Sequence, residues 1–321
     1  MPMKHISIVT ACYNEEENVR ELYERVKKVM SSFDEYSYEH IFIDNSSKDR
    51  TVDILREIAG HDRNVKVIVN TRNFGQVRSG THALLQARGD AVIHIVADLQ
   101  DPPEMITDFI RKWEDGYKIV IGIKEESEES FIFFAIRKLY YNVIGKLSEI
   151  KLIKNFTGFG LYEQKVIEIL RKIDDPYPYF RGLICDIGYE RAEIPYIQPA
   201  RRRGFTKNNF YTLYDVAMLG ITNHSKIPLR LATMTGFFVA FLNLLVAIGY
   251  FVYKLLFWDS FSVGVAPLVI GLFFFGSVQL FFIGIIGEYI GSIHTQVLKR
   301  PLVIEKERIN FEPDDSGTGP D

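Results

Sequence analysis

Cysteine is scarce in this chain: its 321 residues include only Cys12 and Cys185. Two such cysteines do not make the disulfide framework of a small secreted domain, and we expect reduced thiols in the cytosol. An excess of basic residues is also lacking, since 38 Lys and Arg stand against 41 Asp and Glu. This balance gives no support to nucleic acid as a partner.

The N-terminus lacks the apolar core of a signal peptide. Residues 1–6 lead directly into a short apolar strand, and an acidic stretch follows it. Without such a leader we expect the N-terminal domain to stay in the cytoplasm.

Two long apolar runs are present, Leu231–Trp258 and Phe261–Ile286. Each exceeds the roughly 20 residues that a helix needs to cross the hydrocarbon core of a bilayer. Only Asp259 and Ser260 separate them, so the sequence predicts a hairpin of two transmembrane helices.

Basic residues flank this hairpin on both sides: Lys226 and Arg230 precede it, and Lys299 and Arg300 follow it. The positive-inside rule then places both flanks in the cytoplasm, in a multi-pass protein of the cell (inner) membrane. We predict four parts: a cytoplasmic domain at 1–207, a juxtamembrane helix at 208–228, the hairpin at 229–293 and a cytoplasmic tail at 294–321.

Short apolar strands alternate with helices in the first 125 residues, which predicts an α/β domain with a mostly parallel sheet. The predicted strands are His5–Ala11, Glu39–Asp44, Val65–Asn70, Ala91–Ala97 and Tyr117–Ile123, and the predicted helices are Val19–Met30, Thr51–Ala59, Gly75–Ala87 and Met105–Trp113. Ligands bind beyond the carboxyl ends of strands in such sheets, where Asp44, Arg72 and Asp98 lie.

Carboxylates follow the fourth predicted strand, in the segment Ile95–Glu104. Mg²⁺ and Mn²⁺ take oxygen ligands, usually one or two carboxylates with substrate phosphates. We assign the metal to Asp98 and a helix-capping role to Asp101, because Asp101 precedes two prolines and a helix.

Two basic segments each admit two interpretations. Residues 131–147 have the pattern of a basic amphipathic helix, which suits either a membrane surface or ordinary packing, and the predicted membrane hairpin favours the first. The loop Arg201–Lys207 suits either anionic headgroups or a diphosphate, since guanidinium groups match phosphate oxygens.

Five segments occur in an order that resembles the family 2 glycosyltransferases of GT-A fold. More narrowly, they resemble the polyprenyl-phosphate glycosyltransferases of the GtrB and dolichyl-phosphate-mannose-synthase type. The segments are Thr10–Glu16, Ile43–Thr51, Arg72–Gly75, Ala97–Glu104 and Arg201–Lys207, and with the hairpin they extend the resemblance from residue 5 to about residue 300.

This resemblance implies a role for each group of residues. The nucleotide of the donor would be held by Ala11, Tyr13, Glu15 and Asp44, and we place Arg72 in the same set. Asp98 and Gln100 would hold Mg²⁺ or Mn²⁺. Charge on the departing diphosphate would be stabilised by Asp98 with its metal and by Arg201, Arg203 and Lys207. Arg137 and Lys138 would hold the acceptor phosphate at the membrane surface.

The chain departs from the family pattern at two positions. Val96 replaces the first acid of the D-x-D-x-Q pattern, so tight binding of metal alone is not expected. Gly158 stands where the family often has an acid that has been proposed as a base. A phosphate monoester, with a second pKa of about 6, is mostly a dianion at neutral pH and needs little help from a base.

The expected activity is inverting transfer of a hexose, UDP-glucose being the favoured donor, to an undecaprenyl-type phosphate at the cytoplasmic membrane face. A GDP-mannose-dependent synthase is the alternative within the class, and a non-catalytic membrane anchor with a decayed transferase domain is the alternative outside it. The sequence leaves open whether the protein is a homo-oligomer.

Overall fold

The computed structural model describes residues 3–125, 153–199, 218–220, 222, 225–257 and 265–312. In this part of the chain the strands are β1 (Lys4–Cys12), β2 (Tyr36–Asp44), β3 (Val65–Asn70), β4 (Ala91–His94), β5 (Ile119–Lys124), β6 (Phe156–Glu163), β7 (Arg191–Tyr196) and β8 (Glu305–Ile309). The helices are α1 (Val19–Met30), α2 (Thr51–His61), α3 (Gln76–Gln86), α4 (Ile106–Glu114), α5 (Gln164–Ile173), α6 (Phe180–Ile187), α7 (Ile227–Leu256) and α8 (Val265–Leu298).

All these strands join one sheet, in the order β7-β5-β6-β4-β1-β2-β3-β8. β1 pairs in parallel with β2 and β4, β2 with β3, and β5 with β7. β6 runs antiparallel to β4 and β5, and β8 runs antiparallel to β3. The predicted α/β domain with a mostly parallel sheet is therefore confirmed. Its central strands are mostly buried and rich in apolar residues because helices cover both faces.

The structure differs from the sequence prediction at the end of β4, which stops at His94 rather than Ala97. Pairing with β1 ends there, and the chain then turns through Leu99, whose φ of 59° is incompatible with a strand. Sequence analysis also predicts a tail at 294–321, yet Glu305–Ile309 within it forms β8 at the edge of the sheet.

α7 and α8 are two candidate membrane spans, over Ile227–Tyr253 and Gly271–Leu298, with mean hydropathies of 2.1 and 1.7. None of either apolar window is buried. Phe237 is 72% exposed and Phe273 is 70% exposed. A core helix of a soluble protein would bury such side chains, so these surfaces suit a hydrocarbon environment.

Candidate active site

Two loops at the carboxyl ends of β1 and β2 are joined by hydrogen bonds. Asn14 N–H donates to Ser47 Oγ at 2.8 Å, and Lys48 N–H donates to Asn14 Oδ1 at 2.7 Å. Glu15 N–H donates to Thr51 Oγ1 at 2.8 Å. The bonds fix the backbone around Ala11, Tyr13 and Glu15, whose side chains are half-buried.

Asp44 ends β2 beside these loops and is fully buried. Its carboxylate accepts the Ser47 N–H at 2.9 Å and also the Ser47 hydroxyl proton. Burial raises the pKa of Asp44, although the bonds from Ser47 oppose the shift. Asp44 therefore shapes the loop through Ser47, and its contact with the nucleotide stays a prediction.

Asp98 and Gln100 lie in the turn after β4, and both are half-buried. Gln100 N–H donates to Asp98 Oδ1 at 3.2 Å. Between them Leu99 has a φ of 59°, in the left-handed region that a branched side chain seldom adopts. The surroundings hold this conformation because the Leu99 side chain is only 8% exposed. The strained turn sets Asp98 and Gln100 at the same edge of the sheet as the two joined loops.

The capping role predicted for Asp101 is wrong. Neither the 3₁₀ turn Pro103–Met105 nor α4 has a side-chain cap. Asp101 is instead 1% exposed and accepts a hydrogen bond from Tyr196 Oη at 2.9 Å. Burial, together with the charge of Asp98, raises the pKa of Asp101 to about 7 against the opposing hydrogen bonds from Tyr196 and the Val96 backbone. Asp101 thus ties the Asp98 turn to β7.

Asp98 and Gln100 suit a divalent cation only as part of its coordination shell. In the described part of the chain, no three His, Cys, Asp or Glu side chains cluster in a way that would hold a metal. Mg²⁺ and Mn²⁺ commonly combine one or two carboxylates with substrate phosphates. Asp98 and Gln100 therefore fit a metal that binds together with the donor diphosphate. This agrees with Val96, which replaces the first acid of the family's metal-binding pattern.

Gly158 lies beside the end of β4, at the position where the family often has an acidic residue. Its backbone conformation explains why glycine stands there. Its φ is +106°, and an added Cβ would come within 3.5 Å of His94 Nδ1 and 3.7 Å of Phe180 Cδ1. A residue with a side chain would be strained here. The Gly158 carbonyl accepts a hydrogen bond from His94 Nδ1 at 3.1 Å, so that nitrogen carries the proton. Sequence analysis did not identify His94, because nothing local links it to Gly158.

Arg72 follows β3, at the same edge as the other strand-end residues. Its guanidinium group stacks on the Phe74 ring at 4.0 Å, and Nη1 donates to the Asn73 carbonyl at 3.1 Å. Asn73 in turn accepts a bond from Asn45 Nδ2 at 2.9 Å, which ties this loop to β2. The remaining predicted site residues, Arg137, Lys138, Arg201, Arg203 and Lys207, lie outside the described residues, as do the amphipathic helix 131–147 and most of 208–228.

Residues 7–174 match the family described as Glycosyl transferase family 2. The chain belongs to this family, it is a glycosyltransferase, and its α/β domain has the GT-A fold. Similarity to other proteins extends beyond that domain. The chain is 34% identical over 315 residues to the glycosyltransferase YkcC of Bacillus subtilis (strain 168), with 96% of each chain covered. It is 33% identical over 309 residues to the SfII prophage-derived bactoprenol glucosyl transferase of Shigella flexneri, covering 96% of this chain and 99% of that one.

Solved structures share less sequence with this chain. The mannosyltransferase PcManGT from Pyrobaculum calidifontis, in complex with GDP-Man and Mn²⁺, gives a TM-score of 0.46 at 14% identity and covers 92% of this chain and 87% of its own. Glucosyl-3-phosphoglycerate synthase from Mycobacterium tuberculosis, with Mn²⁺, UDP and product, gives a TM-score of 0.42 at 17% identity, covering 68% of this chain and 78% of its own.

Proposed function

We propose that this glycosyltransferase moves glucose from UDP-glucose to a polyprenyl phosphate of the undecaprenyl type, with inversion at the anomeric carbon. One observation carries the proposal: its similarity to a bactoprenol glucosyl transferase covers 99% of that relative, beyond the matched family domain. The two candidate spans support a lipid acceptor, because they would bring the α/β domain to a membrane surface.

In this reaction an oxygen of the acceptor phosphate attacks the anomeric carbon of glucose. The bond from that carbon to the diphosphate breaks, and UDP leaves with the bonding electrons. A phosphate monoester, with a second pKa of about 6, is mostly a dianion at neutral pH, so little proton removal is needed. Gly158 in place of an acid agrees with this. The protein must therefore position the two substrates and stabilise charge on the departing UDP.

The strand-end residues divide these tasks. Ala11, Tyr13 and Glu15 would line the nucleotide site, and Asp44 would position it through Ser47. Asp98 and Gln100 would hold Mg²⁺ or Mn²⁺, which when bound supplies positive charge to the departing diphosphate. Two further roles concern side chains outside the described residues: Arg201, Arg203 and Lys207 would clamp the diphosphate, and Arg137 and Lys138 would hold the acceptor at the membrane surface.

A cytoplasmic location for the α/β domain and for both ends of the chain completes the proposal. β8 comes after the second candidate span and yet pairs with β3, which comes before the first. Both flanks of the hairpin therefore lie on one side of the membrane. Lys226, Arg230, Lys299 and Arg300 on these flanks favour the cytoplasmic side.

A donor panel tests the proposed activity. Purified protein in detergent receives undecaprenyl phosphate, Mg²⁺ or Mn²⁺, and radiolabelled UDP-glucose, UDP-galactose, UDP-N-acetylglucosamine or GDP-mannose. We expect labelled lipid from UDP-glucose, and none when the metal is chelated or when undecaprenol replaces the phosphate. If only GDP-mannose gives a labelled lipid, the transferred sugar is mannose and the proposed donor is wrong. No lipid product from any of the donors would refute the transfer to a polyprenyl phosphate.

A further inference from the structure

Three arginines from two parts of the chain come close together where the α/β domain joins α8: Arg72 and Arg78 flank the start of α3, and Arg300 follows α8. Arg72 and Arg78 both lie against the Phe74 ring, with their guanidinium carbons 4.0 and 5.3 Å from its centroid. Arg78 Nη2 donates to the Pro301 carbonyl at 2.6 Å, which brings Arg300 into the group. Burial and repulsion from Arg72 and Arg300 lower the pKa of Arg78. We call these three residues the arginine cluster.

Within the described residues the cluster has no acidic partner in contact. Elsewhere in the described chain, Arg20, Arg25, Arg56 and Arg308 each contact a glutamate. Among the same residues no carboxylate lies within 4.0 Å of Arg72, Arg78 or Arg300, and Arg78 Nε is buried without a hydrogen-bond partner. Gathering like charges is costly unless an anion offsets them. The positive charge of the cluster and the unused N–H donor of Arg78 Nε are therefore features expected of an anion-binding site.

The cluster lies at the membrane end of the α/β domain. The second candidate span ends at Leu298, two residues before Arg300. One turn earlier, Gln296 Nε2 donates to Asp175 Oδ1 at 2.7 Å, so the end of α8 is fixed to the domain. Lipid phosphates occupy the interfacial layer just beyond the hydrocarbon core. An anion on the cluster would be at the depth of a lipid headgroup.

Helix α3 connects the arginine cluster to the reaction site. Arg78 is in the first turn of α3, and Gly80 follows it by two residues. A Cβ added at Gly80 would lie 3.8 Å from His94 Nε2 and 3.9 Å from Ala11 Cβ. α3 thus packs directly on β1 and β4, whose carboxyl ends carry the proposed donor and metal residues. Gly75 before α3 provides no side-chain cap, so the helix N-terminus adds its positive end to the cluster.

We propose that Arg72, Arg78 and Arg300 bind the phosphate group of the lipid acceptor where it enters from the bilayer beside α8. This assignment rests on the proposed function. It moves Arg72 from the donor set to the acceptor, and it adds the cluster to Arg137 and Lys138, to which the proposed function already gives the acceptor at the membrane surface. The guanidinium groups of Arg72 and Arg78 both lie against Phe74 and could donate to phosphate oxygens, and the exposed Arg300 follows directly on the second candidate span. The phosphate would approach the sugar from the membrane side of the strand ends.

Binding measured without turnover tests the arginine cluster. The probes are farnesyl phosphate and farnesol, titrated into the full-length protein in detergent. We expect Arg78→Gln and Arg300→Gln to weaken farnesyl phosphate binding by about tenfold or more, because each removes a charge-assisted contact. Farnesol and UDP binding should change by less than about twofold. Arg111→Gln, an exposed arginine on α4, is the matched control and should bind farnesyl phosphate like the wild type.

Other outcomes would overturn this assignment. If UDP affinity falls and farnesyl phosphate affinity does not, the cluster serves the donor. If only binding to phosphatidylglycerol vesicles falls, the cluster contacts bulk headgroups. Arg78→Gln could disturb the Pro301 contact, but Arg300 is exposed, so Arg300→Gln separates binding from folding. This test needs no turnover, so it stays valid even if the glucose assay fails. If both variants bind farnesyl phosphate as tightly as the wild type does, the role of the arginine cluster is refuted and the proposed glucosyl transfer is not.

Discussion

Asp98 and Asp101 are three residues apart and have opposite environments. Asp98 is half-buried at the strand end, whereas Asp101 is 1% exposed and bonded to Tyr196. The sequence predicts a ligand-edge position for Asp98, because the carboxyl ends of parallel strands form the ligand edge of such a sheet. It could not identify the task of Asp101, since the partner Tyr196 lies 95 positions further along the chain. The local sequence suggests that Asp101 caps a helix, but in the folded structure Asp101 is buried against Tyr196.

These environments predict different defects when each acid is replaced. Asp98→Ala should lower kcat/KM by at least about 100-fold, because a lost transition-state charge contact costs about 3 kcal/mol. Its melting temperature should stay near that of the wild type. Asp101→Ala should lower the melting temperature, because the buried Tyr196 hydroxyl and Val96 N–H lose their acceptor, at a cost of about 1–3 kcal/mol.

Turnover assays and thermal unfolding in detergent check both variants, with the exposed Asp108→Ala as control for the loss of a carboxylate. Asp98→Ala with near-normal turnover would remove Asp98 from the site. An unchanged melting temperature in Asp101→Ala would show that the bond to Tyr196 contributes little.

At the scale of elements, apolar parallel strands are predictable and polar edge strands are not. β3 and α1 have the bounds that the sequence predicts, since burial on both faces gives β3 four β-branched apolar residues and one apolar stripe defines α1. β8 reads Glu-Lys-Glu-Arg-Ile, a pattern suited to an exposed edge that also resembles a solvated tail. Its contacts with α2 and α3 come from folding rather than from its own composition.

Glu305 accepts hydrogen bonds from His82, which links β8 to α3, and from Arg308 Nε and Nη2 within β8, and the sequence reveals none of them. The bond from His82 Nε2 is 2.6 Å long and the bond from Arg308 Nη2 is 2.8 Å long. Burial alone would raise the pKa of Glu305, but these partners outweigh burial and lower the pKa to about 2. A depressed carboxyl pKa stabilises the fold above the unfolded value of about 4.5, and this contribution falls as pH drops towards 2.

We therefore expect Glu305→Gln to lower the melting temperature at pH 7, at a cost of about 1–3 kcal/mol. The difference from the wild type should shrink between pH 5 and pH 3, the range in which the unfolded Glu305 takes up its proton. Thermal unfolding in detergent across this range is the measurement. Glu307→Gln, on the same strand but paired with Arg56 at the surface, is the control and should cost less than about 1 kcal/mol. A constant Glu305→Gln difference at every pH would contradict the assigned ionisation.

At the scale of the whole molecule, the sheet and the hairpin constrain each other. β8 follows the second span, and its pairing with β3 closes the chain back onto the domain that precedes the first span. If α7 and α8 cross the membrane, this closure requires an even number of crossings whatever the orientation. The sequence predicts the same arrangement from charges alone, so the two arguments are independent.

This arrangement predicts which positions face the outside of the cell. In a Cys185→Ser background, with Cys12 buried, Ser260→Cys between the spans should react with a membrane-impermeant maleimide added to intact cells. Lys306→Cys on β8 is exposed on the protein surface, yet it should react only after the membrane is permeabilised, because β8 belongs to the sheet for which a cytoplasmic location is proposed. If both positions react from outside, the hairpin does not cross the membrane. The inverse pattern, with Lys306→Cys labelled in intact cells and Ser260→Cys protected, would place the sheet outside and separate it from a cytosolic sugar-nucleotide supply.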